Sequence, residues 1–151
     1  MAAAADFLRV LFERAGESSA KSSIPNVLVV DDDAVSNRLV IAALHNAQMH
    51  ARSAEDPMTA LQLLVQNRYD LILLDVELPE VRGFELCKKL RTLPNYLTTP
   101  VIYVTLHDDF ESRAQSVLSG GDDLISKPVL PLELAVKVVM HLLRSRLGKG
   151  H

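Results

Sequence analysis

The chain is short of cysteine, of basic charge and of long apolar runs, and each shortage removes a class of protein. Its only cysteine, Cys87, excludes an intramolecular disulfide and suits a reducing compartment. Thiol reactivity needs exposure and a basic neighbour, so Cys87 reads as a small apolar residue packed on a helix face. A formal net charge of −3 excludes the broad basic surface that binding to nucleic acid requires. Apolar runs are about five residues long, far below the ~20 that a membrane helix needs. The opening residues 1–6 have neither a basic start nor a long apolar stretch, so they do not read as a signal peptide. No internal repeat or low-complexity tract is visible. No helix-turn-helix segment, basic recognition helix or second catalytic domain is expected after Leu147. The expected location is cytoplasmic, without membrane insertion or direct contact with nucleic acid.

What is present suits one globular domain with a sizeable core: 151 residues, 48% hydrophobic and 23% charged. Residues 5–15 pattern as an amphipathic helix with Phe7, Leu8, Leu11, Phe12 and Ala15 on one face. The Ser-rich stretch 16–23 has linker composition, so residues 1–24 read as an N-terminal helix and linker. Strand and helix patterns then alternate. Strands are expected at 26–30, 49–53, 70–74, 101–104 and 124–126. Helices are expected at 34–47, 57–67, 84–92, 110–119 and 131–147. Pro57 suits a first helical turn, and Gly120-Gly121 suits a helix stop. Five βα units with short connections predict an α/β, doubly wound parallel sheet covered by helices on both sides. The folded domain is expected over 25–147, with a disordered tail at 148–151.

The final helix carries two apolar stripes where a surface helix needs one. Ala135, Val138 and Leu142 mark the first; Val136, Val139, Met140, Leu143 and Leu147 mark the second. The second is either covered by a partner or is a broad core-facing face extended by the N-terminal helix.

Polar residues follow the apolar runs in a pattern that suits one acidic phosphoryl site. In an open parallel sheet, ligands bind at the carboxyl ends of the strands. Asp31, Asp32 and Asp33 follow the first strand. Helix capping accounts for one of them, and Asp33 is placed for it. Asp31 and Asp32 remain, and neighbouring carboxylates repel unless a cation or proton intervenes. Mg2+ takes oxygen ligands of this kind. Asp75 ends the most apolar strand, where an unpaired carboxylate is costly. Sharing a metal with the acidic pair relieves that cost, and a carboxylate can also act as a nucleophile toward phosphorus. Lys127 is the candidate cation for the transferring group, and Thr105 a candidate hydrogen-bond donor to it.

Val-Val-Asp-Asp-Asp over 29–33, Leu74-Asp75-x-x-x-Pro79-x-x-x-Gly83, Thr105 and Lys127-Pro128 stand in order at suitable spacing. Over about 25–145 the chain resembles the receiver domain of two-component response regulators. The resemblance implies a flavodoxin-like fold with strand order 2-1-3-4-5 and five helices. It implies that Asp75 accepts a phosphoryl group from a histidine kinase or phosphotransfer protein. It implies Mg2+, with Mn2+ as a substitute, held by Asp31, Asp32, Asp75 and the backbone carbonyl of Glu77. Thr105 and Lys127 take the phosphoryl-binding and switch roles, and the Lys127–Pro128 peptide is expected to be cis.

The chain departs from that family at two positions. Leu124 stands where the family usually has an aromatic whose rotation reports the threonine's movement. Leu106 stands where a small residue usually leaves the site open. Glu77, Leu106 and His107 occupy positions that tune the rates of phosphoryl gain and loss. The expected output is a conformational change of the 110–147 face that controls a partner or output domain, with a homodimer as one candidate assembly. The chain is thus expected to be a signalling phosphoacceptor that assists its own phosphorylation and dephosphorylation, standing alone or within a larger regulator such as a hybrid kinase. Two alternatives are a receiver-like module that signals without phosphorylation and a Mg2+-dependent aspartyl-phosphate phosphohydrolase. The phosphohydrolase type places Asp-x-Asp after its first strand and needs a cap domain.

Overall fold

The computed structural model of the protein describes residues 24–148. The expected helix over 5–15, its linker and residues 149–151 lie outside them. Among the described residues, five strands alternate with five helices: β1 (Asn26–Val30), α1 (Ala34–Asn46), β2 (His50–Ala54), α2 (Pro57–Gln66), β3 (Leu71–Asp75), α3 (Gly83–Leu90), β4 (Val101–Thr105), α4 (Phe110–Leu118), β5 (Asp123–Ser126) and α5 (Pro131–Gly148). A short 3-10 turn, Pro94–Tyr96, precedes β4 and was not anticipated. α5 continues through Gly148, which belongs to the helix rather than to a tail.

All strand pairs are parallel, in the order β2-β1-β3-β4-β5. β3 and β4 are buried at every residue, as central strands covered on both faces must be. β2 lies on an edge and alternates, with His50 and Arg52 facing solvent. Side chains alternate across each strand, so the sheet divides the core into two layers. Val27, Val29, Leu71, Leu73, Ile102 and Ile125 pack with residues of α1 and α5 on one face. Leu28, Ile72, Leu74, Tyr103 and Leu124 pack with residues of α2 and α3 on the other. Val139 falls in the α1–α5 layer, so one member of the second stripe of α5 is core. Val136, Met140 and Leu147 from that stripe remain exposed.

Local chemistry fixes the helix starts. Asp33, Asp56 and Asp109 each stand at an N-cap, and their carboxylates accept from the amides of Val35, Thr59 and Ser112. Gly120, at φ +95°, ends α4 in a conformation that glycine adopts without strain. Cys87 is fully buried on α3, and its burial pushes the thiol pKa up, as an inert packed residue requires. No helix among the described residues is long and apolar enough to cross a membrane.

Candidate functional site

β1, β3, β4 and β5 deliver their last residues, and those that follow, to one edge of the sheet. Asp31 follows β1 and is buried, 4% exposed. Its Oδ1 accepts the Asp33 amide at 2.9 Å, and its backbone carbonyl accepts from Asn37 Nδ2 at 2.7 Å. Asn37 on α1 therefore ties the acidic loop to the helix behind it. Asp33 spends its carboxylate on capping α1, with Val35 N donating to Oδ1 at 3.0 Å. Asp32 is exposed between them.

Asp75 is the terminal residue of β3 and is 3% exposed. Oδ1 accepts the Glu77 amide at 3.0 Å, and Oδ2 accepts from Lys127 Nζ at 3.2 Å. The same ammonium lies 3.3 Å from Asp31 Oδ2. Lys127 reaches this point because its own amide bonds the Thr105 carbonyl at 2.7 Å, extending the β4–β5 pairing by one residue. The Lys127–Pro128 peptide is cis. Gly83 explains its place in the motif: a Cβ there would stand 2.3 Å from the Asp75 carbonyl oxygen. The start of α3 can approach the end of β3 only without a side chain.

The electrostatics of this cluster are unbalanced. Burial first, and then the neighbouring Asp31 carboxylate, push the Asp75 pKa up from 3.8 to about 7, against the pull of the Glu77 amide and Lys127. Burial pulls the Lys127 pKa down, but Asp75 and Asp31 outweigh it and hold it above its ordinary value. Carboxylate oxygens of Asp31, Asp32 and Asp75 all lie within 4.8 Å of one another. Three carboxylates facing one ammonium leave two negative charges when all are ionised. A hard, oxygen-only donor set with that deficit fits a divalent cation such as Mg2+.

Thr105 closes β4 and is fully buried. Its hydroxyl donates to Glu77 Oε1 at 2.8 Å and accepts the His107 amide at 3.0 Å. The His107 ring stands 3.9 Å from the same Glu77 oxygen. Glu77 and His107, expected to tune rates, are thus joined through Thr105. Leu106 is 68% exposed on the loop that follows.

Leu124 is buried and pairs in register with Tyr103 of β4. Tyr103 is the feature the motifs did not point to. Its ring meets Phe84 edge-on at 4.9 Å, and its hydroxyl shares a 2.6 Å hydrogen bond with Ser119 Oγ. An aromatic therefore fills the layer beneath Thr105, supplied by β4 and anchored at both ends. Its position two residues before Thr105, on the same strand face, was the available signal.

A family model described as the response regulator receiver domain matches residues 27–139. Protein RcaC of Microchaete diplosiphon is 34% identical over 124 residues, 82% of this chain and 19% of that protein. The phosphate regulon transcriptional regulatory protein PhoB of Pseudomonas aeruginosa is 33% identical over 122 residues, 81% of this chain and 53% of that protein. The chain thus spans from about a fifth to about half of the length of these relatives. Among solved structures, a Francisella response regulator receiver domain aligns with a TM-score of 0.74 at 32% identity, covering 80% of this chain and 98% of that one. The chemotaxis protein CheY4 of Vibrio cholerae aligns with a TM-score of 0.75 at 28% identity, covering 80% and 99%.

Proposed function

The chain belongs to the response regulator receiver family, and from that premise we propose that it is a phosphoacceptor whose receiving group is the Asp75 carboxylate. One observation carries the proposal. Asp75 is buried at the end of the innermost apolar strand, yet it shares the Lys127 ammonium with a second buried carboxylate. Such an arrangement is costly in a resting protein and rational in a site that receives positive charge and phosphoryl oxygens together.

The donor is a phosphohistidine on a histidine kinase or phosphotransfer protein. An Asp75 carboxylate oxygen attacks phosphorus, the histidine N–P bond breaks and an aspartyl-phosphate forms. The leaving imidazole takes its proton from solvent. Asp31, Asp32, Asp75 and the Glu77 carbonyl would hold Mg2+, or Mn2+ in its place, which would supply neutralising charge for the transfer. Lys127 already lies against Asp75 Oδ2 and pairs with the incoming phosphoryl group. Thr105 donates its hydroxyl to a phosphoryl oxygen. Since Thr105 closes β4 directly before the loop into α4, its movement displaces that loop.

The readout face is α4, β5 and α5. Phe110, Val117 and Leu118 on α4 and Val136 and Met140 on α5 are exposed, an apolar surplus suited to a partner, an output domain or a second copy of the chain. The protein acts in the cytoplasm, and its product is a shift in conformational population.

The test is chemical trapping. After incubation with a phosphohistidine donor and Mg2+, borohydride reduces an aspartyl-phosphate to homoserine at the modified position. Peptide mass analysis should place homoserine at position 75 alone. Homoserine elsewhere, or none with a donor proven competent on another receiver, contradicts the proposal.

A further inference from the structure

Thr105 has one hydroxyl proton, and it is already committed. It goes to Glu77 Oε1 at 2.8 Å, while the hydroxyl oxygen accepts the His107 amide at 3.0 Å. The hydroxyl is held from both sides, on a fully buried residue. Glu77 is itself held at its backbone, where its amide donates to Asp75 Oδ1 at 3.0 Å. Its side chain is 38% exposed, so the carboxylate has a way out to water. Asp75, Glu77, Thr105 and His107 therefore form one hydrogen-bonded chain running from the receiving carboxylate to the loop before α4.

Resting on the phosphoacceptor reading, we infer that the Glu77 carboxylate is a resident competitor for the Thr105 proton, and that it sets how readily the site takes a phosphoryl group. A carboxylate and a phosphoryl oxygen are both charged acceptors, and one hydroxyl proton serves only one of them. Phosphorylation of Asp75 brings negative charge beside Glu77, and like charges repel. Glu77 swings into solvent, and Thr105 is released to the new acceptor. The bond lost and the bond gained are of similar kind, so the exchange is nearly balanced and the site has two states close in free energy. Glu77 is thus a positioning residue that acts through Thr105. The wiring differs from direct repulsion between Glu77 and the phosphoryl group, which does not need Thr105.

A double-mutant cycle separates the two. The probe is beryllofluoride, a stable phosphoryl mimic, titrated with saturating Mg2+ against the full chain and read by 19F NMR. Glu77→Ala leaves the backbone carbonyl in place. It should tighten the mimic by about tenfold with Thr105 present, the worth of one charge-assisted hydrogen bond. In the Thr105→Ala background the gain should shrink to less than about twofold. Thr105→Ser keeps the hydroxyl and should retain the full gain. Should Thr105→Ala fail to fold, Thr105→Val fills the same volume without a hydroxyl and closes the cycle. Equal gains with and without the hydroxyl assign the effect to direct repulsion and overturn the inference, as does the absence of any gain. If neither the unaltered chain nor Glu77→Ala binds the mimic, the phosphoacceptor reading has failed and takes this inference with it.

Discussion

At the carboxyl ends of the strands, two buried carboxylates share one ammonium. At the start of β5, one carboxylate has two basic partners. Asp123 Oδ2 lies 2.9 Å from His141 Nε2, and its Oδ1 lies 3.5 Å from Lys137 Nζ. Lys137 also donates to the Leu124 carbonyl at 2.9 Å. Burial pulls the Asp123 pKa up, but His141, the Leu124 amide and Lys137 outweigh it and hold the pKa below its ordinary value. Burial wins at Asp75, which is 3% exposed beside the like charge of Asp31, and loses at Asp123, which is 27% exposed and has two basic partners. The Asp123 cluster is saturated and ties α5 to β5. The Asp75 cluster is under-neutralised and awaits charge.

The sharpest way to break this contrast is to remove the single shared cation. Lys127→Met leaves two buried carboxylates unpaired and should cost about 3 kcal/mol of stability at pH 7.5. Added Mg2+ should recover part of that in a urea titration. A loss of less than about 0.5 kcal/mol means that the pair was never burdened.

The two clusters should also respond to pH in opposite senses. Asp75 has a folded pKa of about 7 against an ordinary 3.8, so its favourable contribution is complete below about pH 4 and is lost as pH rises toward 7. Asp123 has a lowered pKa, so its contribution is present above 3.8 and is lost as pH falls through the folded value. Asp75→Asn should therefore flatten metal-free stability between pH 4 and 7 and raise it by about 2 kcal/mol at pH 7.5. Unchanged curvature in denaturant midpoints across that range refutes the assignment.

Metal binding should separate the clusters further. At ten times its dissociation constant, Mg2+ should stabilise the fold by about 1.4 kcal/mol, read as a rise in thermal midpoint. Asp31→Asn should remove most of that rise. The Asp123 cluster should contribute nothing to it, and a rise abolished by Lys137→Met would mean that the ion binds there.

Smaller effects complete the series. Lys137→Met leaves Asp123 with His141 and should cost about 1 kcal/mol at pH 7.5. Leu106→Ala should leave stability within about 0.5 kcal/mol, because the side chain is 68% exposed. It should speed phosphorylation by small donors if its bulk screens the site, and an unchanged rate discards that role.

The contrast also explains what could be read from the sequence. Asp31, Asp75 and Thr105 stand directly after apolar runs, and Lys127 follows the short strand Leu124-Ile125-Ser126, so the strand ends announce them. The runs themselves carry the fold, because strands buried on both faces leave no polar alternation to blur them. Edge strand β2 runs over His50–Ala54 rather than 49–53, and buried β3 is displaced by the same one residue, at Leu71–Asp75 rather than 70–74. The Asp123–His141 pair was invisible. Asp123 follows Gly-Gly-Asp, a composition that reads as loop, and His141 sits between apolar residues of α5. Only the packing of α5 on the sheet brings them together, across 18 residues of chain. Thr105 and Glu77 were each marked, but their bond depends on side-chain geometry between the end of β4 and the loop after β3. Val139 joins the core, with Leu143 partly buried against it, as the broad core-facing alternative for the second stripe of α5 implies.

The most direct measurement is intact mass after incubation with a small phosphodonor, with and without Mg2+, for the unaltered chain and Asp75→Asn. The account predicts one added phosphoryl group that requires both Asp75 and the metal. The same addition on Asp75→Asn or in metal-free buffer would contradict it, as would no addition even from a phosphohistidine donor.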